Sequence, residues 1–173
     1  MSGVSIATGV IATDALGGGV GRGLQSPGVV AQSAATGMSV TGTTSETTLA
    51  SIVIPAGLLG VNGVLRITSL WTYTNSVNNK TLKVNFGGTT WFNQAQTTTA
   101  SAQSMTIIRN RGVVNSQVGY AISAGSAFGS TSVANPTAAI DTTASQTITI
   151  TGTLANTGET ITLESYIVEL LNP

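Results

Sequence analysis

Residues 64–74 read Val64-Leu65-Arg66-Ile67-Thr68-Ser69-Leu70-Trp71-Thr72-Tyr73-Thr74, and this stretch decides the fold class. Leu65, Ile67, Ser69, Trp71 and Tyr73 share one parity, while Arg66, Thr68, Thr72 and Thr74 share the other. A repeat of two puts the sets on opposite faces of a strand, one toward a core and one toward water. The same rhythm recurs along the chain. Leu82, Val84 and Phe86 alternate with Lys83 and Asn85 before Gly87-Gly88. Ile148 and Ile150 alternate with Thr147, Thr149 and Thr151 before Gly152. Met105 and Ile107 begin a further alternating run that continues in parity to Arg109 and Arg111. In the last run Ile161, Leu163, Ile167 and Leu171 share a parity. Alternation rich in Thr, Val and Ile, bounded by Gly, Asn and Pro, signals half-buried antiparallel strands.

The pattern predicts seven or eight strands, near residues 47–54, 64–74, 80–86, 89–93, 103–111, 117–122, 146–153 and 160–171. No stripe of helical period stands out. The fold expected is an all-β antiparallel sandwich, jelly-roll-like, with a core built on Trp71, Phe86, Trp91, Phe92, Tyr120 and Tyr166. The longest loop falls at residues 123–139.

The first 42 residues differ in kind. They hold ten of the 21 glycines, only two charges (Asp14 and Arg22) and no aromatic side chain. Such a segment loses much backbone entropy on ordering and has little apolar bulk to offset it. Residues 1–42 are therefore read as an extended N-terminal arm and 43–173 as the sandwich domain. Val4, Ile6, Val10, Ile11, Leu16 and Leu24 are its candidate anchoring residues, packing on a neighbouring subunit. The start lacks a basic segment and Asp14 interrupts its apolar stretch, so no signal peptide is expected. The glycines at 17–23 miss a phosphate-loop spacing, because Arg22 and Leu24 stand where G-x-G-x-x-G requires glycine.

Composition narrows the chemistry. The 173 residues are 41% hydrophobic and only 7% charged, with six Lys+Arg against six Asp+Glu and no His or Cys. That removes Ser-His-Asp and Cys-His nucleophiles, the usual zinc sites and disulfides. A net charge of zero argues against nucleic acid, and no apolar run reaches membrane-spanning length. No cofactor is expected. Paired carboxylates could still hydrolyse a glycoside, and Asp141, Glu159, Glu164 and Glu169 are the candidates. Glu164 and Glu169 differ by an odd number and so are expected on opposite faces, while Asp141 and Glu159 lie in turn-like sequence. A non-enzymatic role is the expectation.

Arg109 and Arg111 are read as a subunit contact, since two cations within three residues stand out in so neutral a chain. Lys80 and Lys83 are read as hairpin or edge charges beside Asn78-Asn79. Trp91 and Phe92 form the one adjacent aromatic pair, and strict alternation would expose one of them as a platform for a sugar. A neutral surface of Thr, Ser, Asn, Gln and Gly also favours self-association.

The run Thr43-Thr44-Ser45-Glu46-Thr47-Thr48-Leu49-Ala50-Ser51-Ile52-Val53-Ile54-Pro55-Ala56-Gly57-Leu58-Leu59-Gly60 resembles the opening strand of a β-sandwich domain recurrent in tailed-bacteriophage and prophage virion proteins. Asn62-Gly63-Val64-Leu65-Arg66-Ile67, residues 71–82, Phe86-Gly87-Gly88-Thr89, Ile107-Ile108-Arg109-Asn110-Arg111-Gly112 and 159–171 are similar in the same way. The resemblance covers roughly residues 43–171 and carries no catalytic motif. It implies a non-enzymatic, often trimeric domain found in head-decoration proteins and fibre tips. An arm plus one domain suits a capsid decoration or cement protein on the outer surface of the particle. Its partners would then be copies of itself and the major capsid protein. The alternative is a tail-fibre or receptor-binding module, contacting tail components and a host surface glycan.

Overall fold

The computed structural model describes residues 28–33, 37–120 and 134–171. These fold into strands alone: β1 (Gly28–Gln32), β2 (Met38–Thr41), β3 (Thr47–Ile54), β4 (Val64–Tyr73), β5 (Lys80–Phe86), β6 (Thr89–Gln96), β7 (Ser101–Asn110), β8 (Gln117–Gly119), β9 (Thr137–Ala138), β10 (Gln146–Leu154) and β11 (Thr160–Leu171). A seven-stranded sheet runs β1-β11-β4-β7-β8-β9, with β2 also on β11, and a four-stranded sheet runs β3-β10-β5-β6. Every pairing is antiparallel. With β1 and β2 counted as one interrupted strand and short β8 and β9 set aside, the first strand neighbours the last, and the second neighbours the last but one. That is the eight-stranded double Greek key of a jelly roll.

The inward parities of the two sheets meet in one core. Leu65, Ile67 and Trp71 of β4, Leu82, Val84 and Phe86 of β5, and Ile148 and Ile150 of β10 are buried there. Trp71 donates its indole N–H to Ser69 Oγ at 2.8 Å, and Ser69 shares a 2.6 Å hydrogen bond with Ser104, while the buried Thr106 hydroxyl on the same side of β7 has no hydrogen-bond partner among the described residues. β5 turns into β6 at Gly87-Gly88, both with positive φ (56° and 77°), the backbone a two-residue hairpin of matching twist demands.

Three sequence expectations change. Residues 28–32 and 38–41, assigned to the arm, are strands on β11, and Val40 is in the core. The jelly roll takes its first strand from there, and the predicted strand at 117–122 is the short extra β8, with 121–122 outside the described residues. Residues 1–27, with Val4, Ile6, Val10, Ile11, Leu16 and Leu24, lie outside the described residues, as does most of the predicted 123–139 loop.

Second, β11 does not keep one parity. Its register on β4 shifts between Leu163 and Ser165, leaving Glu164 as an extra residue, so Val168 is buried and Ile167 faces outward. Third, the buried side of β7 is Ser104, Thr106, Ile108 and Asn110, so Met105, Ile107 and Arg109 lie on the outer face. Of the six expected core residues, Trp71, Phe86, Trp91 and Phe92 are buried, Tyr166 packs half-buried against them, and Tyr120 is part-exposed.

Candidate functional site

The two sheets present unlike outer faces. Over β3, β10, β5 and β6 the outward residues include Ser51, Thr147, Thr149, Lys83, Asn85, Thr90 and Asn93, with Val53 the exposed large apolar side chain. This is a hydrated surface. Across β11, β4 and β7 the outward residues include Ile167, Leu70, Met105 and Ile107, all exposed, Met105 by 51%. The register sets them around one residue: Thr68 lies between Ile167 and Met105, while Leu70 and Ile107 stand one outward position to either side. Val29 of β1 joins them opposite Glu169. Clustered exposed apolar side chains on a sheet mark a contact surface more often than scattered ones do.

The charges of this face are ordered along the strands. Arg66 donates from Nε and a terminal nitrogen to both carboxylate oxygens of Glu169, each at 2.7 Å. This fork holds the Glu169 carboxyl below its usual range and the Arg66 guanidinium above. Arg109 sits at one end, opposite Val64, and exposed Arg111 follows. At the other end the Thr72 hydroxyl donates to Glu164. Among the described residues neither Arg109 nor Arg111 is in an ion pair within the subunit.

Glu164 and Glu169 do not stand at the spacing of a glycosidase pair. The bulge puts Glu164 and Glu169 on the same face, contrary to the parity expectation, since their partners Thr72 and Arg66 are both outward on β4. Those partners are six residues apart, roughly 20 Å, whereas glycosidase carboxyls stand within roughly 10 Å. Asp141 accepts from the Thr143 hydroxyl and backbone N–H, which lower its pKa in a local turn. Among the described residues no three acidic side chains gather as metal ligands would, and no helix is long and apolar enough to cross a membrane.

Trp91 and Phe92 are both buried, 3% exposed each, so neither offers a ring to a sugar. The β5–β6 register shifts between Val84 and Asn85, which makes Trp91 the extra residue of a bulge and cancels the alternation expected to turn one ring outward. Its indole reaches across to β8, where a Cβ on Gly119 would stand 2.4 Å from the ring. Only glycine admits that approach.

Lys80 is no hairpin edge charge. It is fully buried, with Nζ donating to the Ser76 carbonyl (3.1 Å), Ser76 Oγ (2.9 Å) and the Thr97 carbonyl (3.0 Å). Ser76 in turn donates to Glu159, which also accepts from Asn78 at 3.0 Å, and these bonds with the nearby Lys80 charge hold the Glu159 carboxyl below its usual range. Three acceptors thus surround the Lys80 Nζ. The cluster ties the 74–80 turn to the 96–99 loop. Lys83 pairs with Glu46 at 2.6 Å on the polar face.

The sequence reading flagged Arg109 but missed Leu70, Met105, Ile107 and Ile167 as a surface. The available signal misled: on β7 Met105 and Ile107 face outward, while Ser104, Thr106 and Asn110 face the core beside Ile108. Asn110 suits that place because its Nδ2 donates to the Gly60 carbonyl and Thr142 Oγ1, and its Oδ1 accepts from Gln117.

No protein-family model matches this chain, and no curated protein matches it. Among solved structures, the chain is similar to dimeric latent PorU from Porphyromonas gingivalis, at 10% identity and a TM-score of 0.39. The likeness covers 71% of this chain and 10% of that one, and at this level it carries no argument about function.

Proposed function

We propose that this protein is a non-enzymatic structural component of a bacteriophage particle, a capsid decoration or cement protein displayed on the outer surface. What supports the reading is the two-faced jelly roll: a Thr- and Asn-rich face fit for water backs an apolar face fit for contact. The phrases that resemble phage virion domains fall largely on its paired strands β3, β4, β5, β7 and β11. The role is mechanical. Residues 1–27 precede β1 at the margin of the larger sheet and, fully extended, would reach roughly 90 Å, enough to cross a boundary between capsomers. Val4, Ile6, Val10, Ile11, Leu16 and Leu24 are the anchors in this proposal, and burying them would stabilise the shell.

The test is a truncation that stops before Gly28, because a longer one removes the first strand of the jelly roll. The protein lacking residues 1–27 should keep the thermal transition of the full chain and lose its binding to particles. Undiminished particle binding would sink the proposal, as would images of the particle that show no density for this chain.

A further inference from the structure

We infer that the outer face of the seven-stranded sheet docks a second copy of this chain, face to face, about a two-fold axis along the Ile167–Thr68–Met105 row. The contrast between faces comes first. Met105, Ile107, Leu70 and Ile167 form a contiguous apolar patch on this sheet, while the opposite sheet exposes Thr, Ser and Asn around a single Val53. The patch asks for an apolar partner, and the arrangement of charge specifies which.

Arg66 and Glu169 neutralise each other inside the patch. What remains is Arg109 at one end and Glu164, bonded to Thr72, at the other. The register gives their spacing. Arg109 is four residues from Met105 along β7, and Thr72 is four residues from Thr68 along β4, on the opposite side of the same row. A two-fold axis along that row exchanges the two ends. It brings Arg109 over the partner's Glu164, repeats the pair at the far end, and lays the two apolar patches against each other. Arg109 on β7 and the partner's Glu164 on β11 are then offset sideways by two strands, about 9.6 Å, but Thr72 draws the Glu164 carboxylate toward β4, one strand or about 4.8 Å from β7, and the arginine spans the rest. Two sheets so packed stand about 10 Å apart with side chains interdigitated. A face with a cation at one end, an anion at the other and oil between is complementary to itself, which is the requirement of an isologous contact. This docking does not depend on the virion reading, since it is measured in solution without particles.

The experiment is sedimentation of the full chain across the micromolar range. The wild type should have the mass of two copies. Met105→Glu should be monomeric, and Val53→Glu, an equally exposed change on the other sheet, should stay dimeric. Arg109→Glu should weaken association by about tenfold, and adding Glu164→Arg should restore most of it by re-pairing the ends with signs exchanged. If Met105→Glu failed to show the wild-type circular dichroism, the charge exchange would carry the test by itself. A wild type monomeric throughout would overturn the inference. So would an assembly of any order, a trimer included, that Met105→Glu leaves intact, or a double exchange no tighter than the single one.

Discussion

Lys80 shows how far a residue's role can depart from its neighbourhood in sequence. Beside Asn78-Asn79 it reads as a charge on a hairpin, yet it is fully buried and donates to carbonyls of both Ser76 and Thr97. Its second anchor is seventeen residues away, and no local pattern announces a buried ammonium surrounded by three acceptors. Lys80→Met keeps most of the volume but strips the carbonyls and Glu159 of their cation. The expected loss is about 3 kcal/mol in a denaturant titration. Lys83→Met, at the exposed pair with Glu46, is the control and should cost roughly 0.5 kcal/mol.

At the scale of the strand, position was legible, and so was parity in β4, β5 and the start of β10, but not in β6, β7 or β11. Strands β3, β5 and β11 fall where the alternation puts them, and β4 and β10 fall within one residue. Four bulges then redirect what alternation assigns: at Val30 in β1, Leu49 in β3, Trp91 in β6 and Glu164 in β11. A bulge is an extra residue in the backbone ladder and has no obligatory side chain, so a period-two reading passes over it. This explains two errors together, the Trp91-Phe92 pair being buried on both residues and the Glu164–Glu169 pair lying on one face. It also makes a prediction. Deleting Glu164 removes only the extra residue and leaves Val168 inward and Glu169 outward, so the protein should fold with a cooperative transition. Deleting Ile167 instead turns the residues on one side of the gap to the wrong face and should abolish that transition. Near-ultraviolet circular dichroism of the two deletions decides between them.

For the molecule as a whole, the scarcity of charge concentrates its electrostatics in a few carboxylates. Glu46, Asp141, Glu159 and Glu169 all have lowered pKa values, held chiefly by hydrogen bonds from Lys83, Thr143, Ser76 and Arg66 respectively. Each folded value lies below its unfolded counterpart, so on acidification the unfolded chain takes up protons first. Their contribution is therefore present above the unfolded range near pH 4 and is lost as pH falls through the folded values. With no histidine in the chain, nothing of the kind happens between pH 5 and 8. Melting temperature should be level from about pH 5 to 8 and decline below about pH 4. A step near pH 6 would contradict this account. The sandwich class was legible from the chain because alternation and composition agree over most of its length. The first strand was not, because Gly28–Gln32 and Met38–Thr41 sit in glycine-rich sequence and owe their extended form to β11.

That dependence of β1 on β11 also dictates an order of events during synthesis. Gly28 pairs with Leu170, and β11 is held between β1 and β4, so the larger sheet cannot close until Leu170 has been made and has cleared the ribosome. Until then the nascent chain carries β4 and β7 with an open seam where β11 belongs. Folding of the jelly roll is thus deferred until β11 has emerged, and its rate is governed by the closure of the loop between Gly28 and Leu170. A ribosome stalled before residue 160 should hold a chain that proteases still digest freely, and one that has fully exposed residue 171 should hold a resistant one.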